Sequence, residues 1–176
     1  KEYIQKNNLE AYRLYNFEKA ALPLAVDIYG AYAVIHIYDK VETPVLNEIE
    51  KTLKELLKIE KVFYKNRVKE DEPAEKSAEA GKNITVDEYG HKFSINLSDY
   101  LDVGLFLDHR ETRKWIASQC AGKVVLNTFA YTGSFSVYAA AAGAAKTYSI
   151  DLSKTYCDWT KRNFELNNLP SEKNWI

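Results

Sequence analysis

The residues of this chain best suited to hold a ligand lie in two short stretches. Val125–Ala140, VLNTFAYTGSFSVYAA, reads as an apolar strand, a turn with a single glycine at Gly133, and an alanine-rich helix. Asp151 follows 18 positions after Gly133, at the end of a second strand-like stretch, KTYSID. Free backbone N–H groups at a helix start attract negative ligand groups. A carboxylate at the carboxyl end of a strand is placed to accept hydrogen bonds from ribose hydroxyls. Together they suit a nucleoside-containing cofactor. Each residue also has a plainer explanation, in which Gly133 starts a tightly packed helix and Asp151 caps the next one. Those explanations cover either residue singly and account less well for the pair.

The turn bears on which cofactor. A pyrophosphate at a helix N-terminus needs close approach, normally given by several residues that lack side chains. FAYTGSFS has one glycine, and its Phe129 and Tyr131 would crowd a pyrophosphate. S-adenosylmethionine has no phosphate; it needs one close approach and a few backbone partners, and its sulfonium tolerates aromatic faces. The pattern favours adenosylmethionine, with a nicotinamide dinucleotide in an oxidoreductase as the competitor.

These residues require a parallel βαβ frame. KVVLNTF is a near-continuous apolar strand, as expected where both faces of a sheet are covered. Gly133–Ala142 is predicted helical, with Gly143 placed to end it. Ser153 caps a further helix whose inner face carries Tyr156, Trp159, Asn163 and Leu166. Strand–helix–strand–helix with short links makes a parallel unit. Upstream, Asp108–Gln119 reads as a helix, with Asp108 and Glu111 at capping-box spacing.

The earlier part of the chain has a different character. AYRLYNF and LAVDIYGAYAVIHIYD are strand-like, the second turning at Tyr29-Gly30. Thr43–Lys58 is an amphipathic helix with Thr43 as N-cap and Pro44 first in the helix. KVFYKNRV is a strand, and ITVDEYGHKFSINL a hairpin turning at Tyr89-Gly90. Lys69–Lys82, KEDEPAEKSAEAGK, is charged and aperiodic and is expected to be a mobile loop. The expectation is a small α+β domain over residues 1–100, then an α/β domain over 101–176.

Composition bounds the function. With 46% hydrophobic residues, 176 residues can build a real core. A formal net charge of −1 gives no overall pull toward nucleic acid or anionic membrane, though a local basic patch stays open. KVFYKNRVK interleaves Lys61, Tyr64, Lys65, Arg67 and Lys69 with apolar residues. That pattern offers phosphate contacts and a stacking surface, or is an ordinary edge strand guarded by lysines. No apolar run approaches a membrane span, and no signal peptide is recognisable. Cys120 and Cys157 are too few for a disulfide framework or a zinc site, so a reducing cytoplasm is expected. His36, His91 and His109 show no metal-ligand spacing, and no metal is expected. The chain holds no methionine and stops at SEKNWI, so it is expected to be a piece of something longer or to have lost residues.

Three ordered motifs, GLFLDHRETRKWI, VLNTFAYTGSFSVYAAAAGA and SIDLSKTYCDWTKRNFELN, resemble the class I methyltransferases that modify bacterial 23S ribosomal RNA. The resemblance is greatest to the guanine-N7 module that often forms the C-terminal half of a fused two-activity enzyme. The related cytosine carbon-5 methyltransferases share the GLFLD-R and YTG elements, and SKTYCDWTKRN leans toward guanine N7. AYRLYN, LAVDIYG and YKNR extend the resemblance over most of the chain.

The resemblance implies the first half of a Rossmann-like domain that holds S-adenosylmethionine. Asn127, Phe129, Tyr131, Thr132, Gly133 and Ser134 would form the cofactor loop, with Asp151 on the ribose and Leu152 beside the adenine. Asp108 and Arg110 would lie near the methionine end; on their own they read as a helix cap and a surface ion pair. Lys65 and Arg67 become expected RNA contacts, and 23S rRNA or a large-subunit precursor the expected partner. An adenine contact after a third strand, opened by NWI, and an acceptor loop after a fourth are also implied. The catalytic residues are thus expected past Ile176, and this piece alone is expected not to methylate. Guanine N7 carries a lone pair and no proton, so its attack needs alignment rather than a general base. Carbon-5 methylation of cytosine needs a cysteine nucleophile, whereas Cys120 and Cys157 read as structural thiols. The alternative from another class is a non-catalytic RNA-binding module with a vestigial cofactor fold.

Overall fold

The computed structural model describes residues 2–17, 22–68 and 81–176; the expected mobile loop falls on residues 69–80, outside the described residues, apart from Gly81 and Lys82. The chain divides into two compact units, residues 1–86 with 96–103, and residues 87–95 with 104–176. The last boundary between the units along the chain falls between Val103 and Gly104, and residues 87–95 at the tip of the 83–96 hairpin go with the second unit.

In the first unit, α1 (Glu2–Lys6) precedes strands β1 (Ala11–Tyr15), β2 (Leu24–Tyr29) and β3 (Tyr32–Ile37), then α2 (Thr43–Leu57) and β4 (Lys61–Asn66). The sheet order is β1-β2-β3-β4. The first three strands run antiparallel, and α2 carries the chain over to β4, which is parallel to β3. The N-cap lies one residue before the Thr43 expected. Glu42 is the extended N-cap, and Thr43 and Pro44 sit in the first turn, where proline's fixed φ suits the helix. Leu24, Val26, Ile28, Ala33, Ile35, Leu53, Ile59 and Val62 form the core beneath α2.

Strand alternation places Asp27, His36 and Lys65 on the other face, where they are also buried. Arg13 donates to Asp27 through Nε at 2.7 Å and Nη2 at 2.9 Å, and His36 Nε2 lies 3.2 Å from Asp27 Oδ2. Burial alone would raise the Asp27 pKa; the Arg13 hydrogen bonds, with His36 close by, hold it below the ordinary carboxylate value. Lys65 Nζ donates to the Tyr100 carbonyl. Arg67 Nη2 donates to Leu101 O at 3.0 Å and Asp102 Oδ1 at 2.8 Å. The two cations expected to meet RNA are therefore engaged inside this unit, and Lys65 is only 7% exposed.

The second unit opens on the hairpin of β5 (Asn83–Glu88) and β6 (His91–Asn96), whose first four residues and last belong to the first unit. Tyr89 and Gly90 both adopt positive φ, the conformation a two-residue hairpin turn requires. After a 3-10 turn over Leu107–His109 come α3 (Arg110–Cys120), β7 (Val124–Thr128), α4 (Ser134–Ala141), β8 (Lys146–Ile150), α5 (Lys154–Leu166) and β9 (Asn174–Trp175). The capping box expected from Asp108 and Glu111 does not form. The start of α3 has no side-chain cap, and Glu111 Oε1 instead accepts from the Tyr89 hydroxyl at 2.7 Å.

Strands β7-β8-β9 form a parallel sheet in that order, so NWI does open a third strand. A sheet that advances in one direction through right-handed crossovers puts α4 and α5 on the same face, and the two helices touch. The opposite face exposes Val124, Leu126, Tyr148, Ile150 and Trp175. The both-faces-covered pattern expected for β7 is thus met on one side within these residues. On the packed side, Trp159, Thr160, Asn163 and Phe164 of α5 are buried, and Ser153 Oγ accepts from Tyr156 N as the expected cap.

Lys65 gives this packing a pH signature. Burial, and then the neighbouring Arg67 charge, lower its amine to about 8, against about 10.4 for an exposed lysine. Between those values the unfolded chain binds the proton that the folded chain has lost, so this group's contribution to stability rises with pH. The free energy of urea unfolding of the parent minus that of Lys65→Met should increase from about pH 7 to about pH 9.5. A constant difference would show that Lys65 titrates as an exposed amine.

Candidate functional site

The turn that follows β7 winds through alternating left-handed residues, Phe129 (φ 57°), Tyr131 (φ 53°) and Gly133 (φ 72°). For phenylalanine and tyrosine this backbone costs about 1 kcal/mol or more each, and persists only where the surroundings enforce it. Strand β8 enforces one side. Ala130 N donates to Ile150 O at 2.9 Å, and Tyr131 N to Asp151 Oδ2 at 2.8 Å. Helix α5 enforces the other, with Thr160 Oγ1 donating to Tyr131 O at 3.0 Å and Asn163 Nδ2 to Thr132 O at 2.8 Å. Beneath the turn, Thr132 Oγ1 donates to Gly104 O at 2.6 Å, and Asn127 Nδ2 to Ser136 Oγ at 3.0 Å.

Gly133 is required by this packing. A Cβ there would lie 2.4 Å from Thr160 Cγ2, on top of the positive φ. Helix α5 makes this close approach. Gly104 is set the same way, with a would-be Cβ 2.3 Å from Trp159 Cζ2 at φ 107°.

Of the two aromatics in the turn, Phe129 stands in the open, 87% exposed. Tyr131 folds its ring onto Phe106 at 5.1 Å and Tyr156 at 4.7 Å. The crowding expected of two rings therefore comes from Phe129 alone. Leu152, just past β8, is fully exposed.

Asp151 has a structural job as well as a placement. Its Oδ1 accepts from Ser153 N at 2.9 Å and its Oδ2 from Tyr131 N. Each carboxylate oxygen can accept a second hydrogen bond, so the group keeps acceptor capacity for hydroxyls. Helix α4 begins at the neighbouring strand end with Gly133 as N-cap and no side-chain cap. Its first-turn N–H groups form a positive end suited to a carboxylate.

The segment before α3 comes to the same place through ring contacts, Phe106 with His109 at 6.5 Å and His109 with Phe135 at 5.9 Å. Asp108 lies there, its side chain mostly exposed. Arg110 instead turns Nε to Glu88 Oε2 at 2.8 Å. The structure therefore brings together Asn127–Ser134, Asp151, Leu152 and Asp108, engages Arg110 with Glu88, and keeps Lys65 and Arg67 in the first unit. The sequence reading missed Glu88, Gly104 and Thr160. Asn163 was expected on the inner face of α5, without its bond to the turn. Among the described residues no group of three His, Cys, Asp or Glu side chains could hold a metal ion, and no helix is long and apolar enough to cross a membrane.

Residues 58–172 match the sequence model of the S-adenosylmethionine-dependent methyltransferases. The chain belongs to this family. It is 41% identical over 186 residues to "Ribosomal RNA large subunit methyltransferase K" of Neisseria meningitidis serogroup B, a match covering 99% of this chain and 52% of that protein. It is 41% identical over 184 residues to "Ribosomal RNA large subunit methyltransferase K/L" of Colwellia psychrerythraea, covering 98% of this chain and 26% of that protein. A solved structure assigned as a methyltransferase and complexed with SAH matches with a TM-score of 0.84 and 27% identity, over 99% of this chain and 46% of that one. The chain thus spans about half the length of the Neisseria relative. Its second unit is the first half of the family's Rossmann-like fold, and the family's cofactor fits the carboxylate and helix start described above.

The packing of α5 on the turn sets a test independent of any ligand. Gly133→Ala should destabilise the chain by about 2 kcal/mol or more in urea unfolding, since it adds both a clash and a strained φ. Adding Thr160→Ser, which removes Cγ2 and keeps the hydroxyl, should recover part of that loss. A loss below about 0.5 kcal/mol for Gly133→Ala would contradict the close approach.

Proposed function

We propose that this chain holds S-adenosylmethionine across the carboxyl ends of β7 and β8, and that the protein it belongs to methylates 23S ribosomal RNA at guanine N7. The observation that carries the reading is the pairing, at adjacent strand ends, of an uncapped α4 with the spare acceptor positions of Asp151. The first-turn N–H groups of α4 would hold the cofactor's carboxylate, with Asp108 near its amino group. Asp151 would accept from the ribose hydroxyls, and Leu152 would offer an apolar surface to the adenine. Phe129 would set an aromatic face toward the sulfonium. When bound, the cofactor supplies an electrophilic methyl group.

An acceptor that needs no general base suits what these residues are asked to do. N7 of guanine attacks with a lone pair and releases no proton, so the turn needs only to bind, orient and exclude water. Both thiols of the chain face backbone carbonyls. Cys120 Sγ donates to Ile116 O at 3.0 Å and Cys157 Sγ to Asp151 O at 3.5 Å. That supports N7 over a route requiring a cysteine nucleophile from this chain. The names of the relatives, large-subunit ribosomal RNA methyltransferases, support the substrate class. A base in structured RNA would be turned out of its stack to reach the site, and such a protein works in the cytoplasm. Phosphate contacts by Lys65 and Arg67 form no part of this reading, because both cations are engaged within the first unit.

Calorimetric titration with S-adenosylhomocysteine tests the site. The chain should bind it and show no heat with NAD. Asp151→Asn, which removes the charge and one acceptor, should weaken binding about tenfold or more. Absence of binding by the parent, or binding of NAD instead, would overturn the cofactor assignment. Unchanged affinity in Asp151→Asn would reduce Asp151 to its structural role.

A further inference from the structure

We infer that Glu88 is a positioning residue of the cofactor site, acting through Arg113 and Phe106; the inference rests on the cofactor reading above. Glu88 ends β5 and its side chain is fully buried, as is that of Arg113. Arg113 Nη2 lies 2.7 Å from Glu88 Oε1 and 3.0 Å from Oε2, and its Nε donates to Oε1 at 2.9 Å. Arg110 adds Nε to Oε2, and the Tyr138 hydroxyl of α4 donates to Oε1 at 2.9 Å. One carboxylate thus gathers α3 and α4 onto the hairpin. Burial, and then the Glu88 charge, push the Tyr138 hydroxyl pKa up, keeping it a donor.

The cluster reaches the turn through a short run of contacts. The remaining nitrogen of the Arg113 fork, Nη1, donates to the Phe106 carbonyl at 2.8 Å. That bond fixes Phe106, whose ring rests on Tyr131 at 5.1 Å, and Tyr131 is one of the left-handed residues of the turn. The Arg113 guanidinium also lies 5.9 Å from the Phe135 ring in the first turn of α4. A buried guanidinium without its carboxylate must find other partners or water. Loss of Glu88 would therefore release Arg113, and with it the backbone of Phe106 and the packing of Tyr131. Glu88 itself faces the two arginines and Tyr138, so its effect on a ligand is transmitted through them.

A merely structural Glu88 and a positioning one differ in what they move. Glu88→Gln and Glu88→Asp are compared with the parent by urea unfolding, near-ultraviolet circular dichroism and titration with S-adenosylhomocysteine. Positioning predicts that folded Glu88→Gln binds at least tenfold more weakly with an altered aromatic spectrum, and that Glu88→Asp, which keeps the charge, recovers most of the affinity. A folded Glu88→Gln that has lost stability but binds within twofold of the parent would overturn the inference. If Glu88→Gln does not fold, Phe106→Leu decides, because it breaks the ring contact to Tyr131 and leaves the ion pair whole. A fivefold or greater loss of affinity supports the path, and parental affinity overturns it. Failure of the parent to bind would remove the cofactor reading and this inference with it, an outcome distinct from a binding parent with binding variants.

Discussion

The second unit depends on a turn that cannot hold its own shape. Phe129 and Tyr131 adopt a backbone that side-chain-bearing residues avoid, and such a backbone persists only where its surroundings enforce it. The structure fixes Tyr131 and Thr132 from two sides, with the Asp151 carboxylate on the strand side and Thr160 and Asn163 on the helix side. The result is a preformed ledge. It leaves Phe129 and Leu152 open to solvent, the start of α4 without a side-chain cap, and Asp151 with unused acceptor positions. Preorganisation of this kind lets a binding site engage its ligand without ordering itself first.

The same logic explains why Asp151 need not be either a cap or a ligand group. Its bonds to Tyr131 N and Ser153 N orient the carboxylate, and orientation is what a hydroxyl-binding acceptor requires. The plainer explanation of Gly133, a tightly packed helix start, is realised, whereas α5 is capped by Ser153 and Asp151 instead holds the backbone of Tyr131 and Ser153. Both arrangements are compatible with a binding role, and at Gly133 α5 occupies the space that a side chain would take. The buried Glu88–Arg113 pair makes a further layer of support, joining the hairpin tip to α3 and α4.

Much of the fold was legible in the sequence because it is written in local periodicity. The β2–β3 hairpin, α2, the Tyr89-Gly90 turn and the βαβ run each follow from patterns within a few residues. What was not legible depends on partners far along the chain. Lys65 and Arg67 look like a basic edge until the segment at Tyr100–Asp102 meets them. Glu88 looks like one more hairpin carboxylate until α3 supplies two arginines. Asp108 and Glu111 have the spacing of a capping box, but a 3-10 turn shifts the helix start and Tyr89 takes the Glu111 carboxylate. The open face of β7 and β8 follows from topology, since a sheet advancing one way places both crossover helices on one side. In the candidate site, the turn and Asp151 lie where the strand–turn–helix pattern puts them, but the contact that requires Gly133 comes from Thr160, 27 positions further on, and no local pattern shows it.

The central claim is that the ledge made by the turn, Asp151 and the start of α4 is the cofactor site. Amide NMR of the isotopically labelled chain titrated with S-adenosylhomocysteine tests it residue by residue. The account predicts that the largest shifts fall on Phe135 and Ser136 at the start of α4 and on Leu152 and Ser153 after β8, while amides of the first unit's sheet stay unmoved. Shifts centred elsewhere, or a turn whose amides do not respond while the ligand binds, would contradict it.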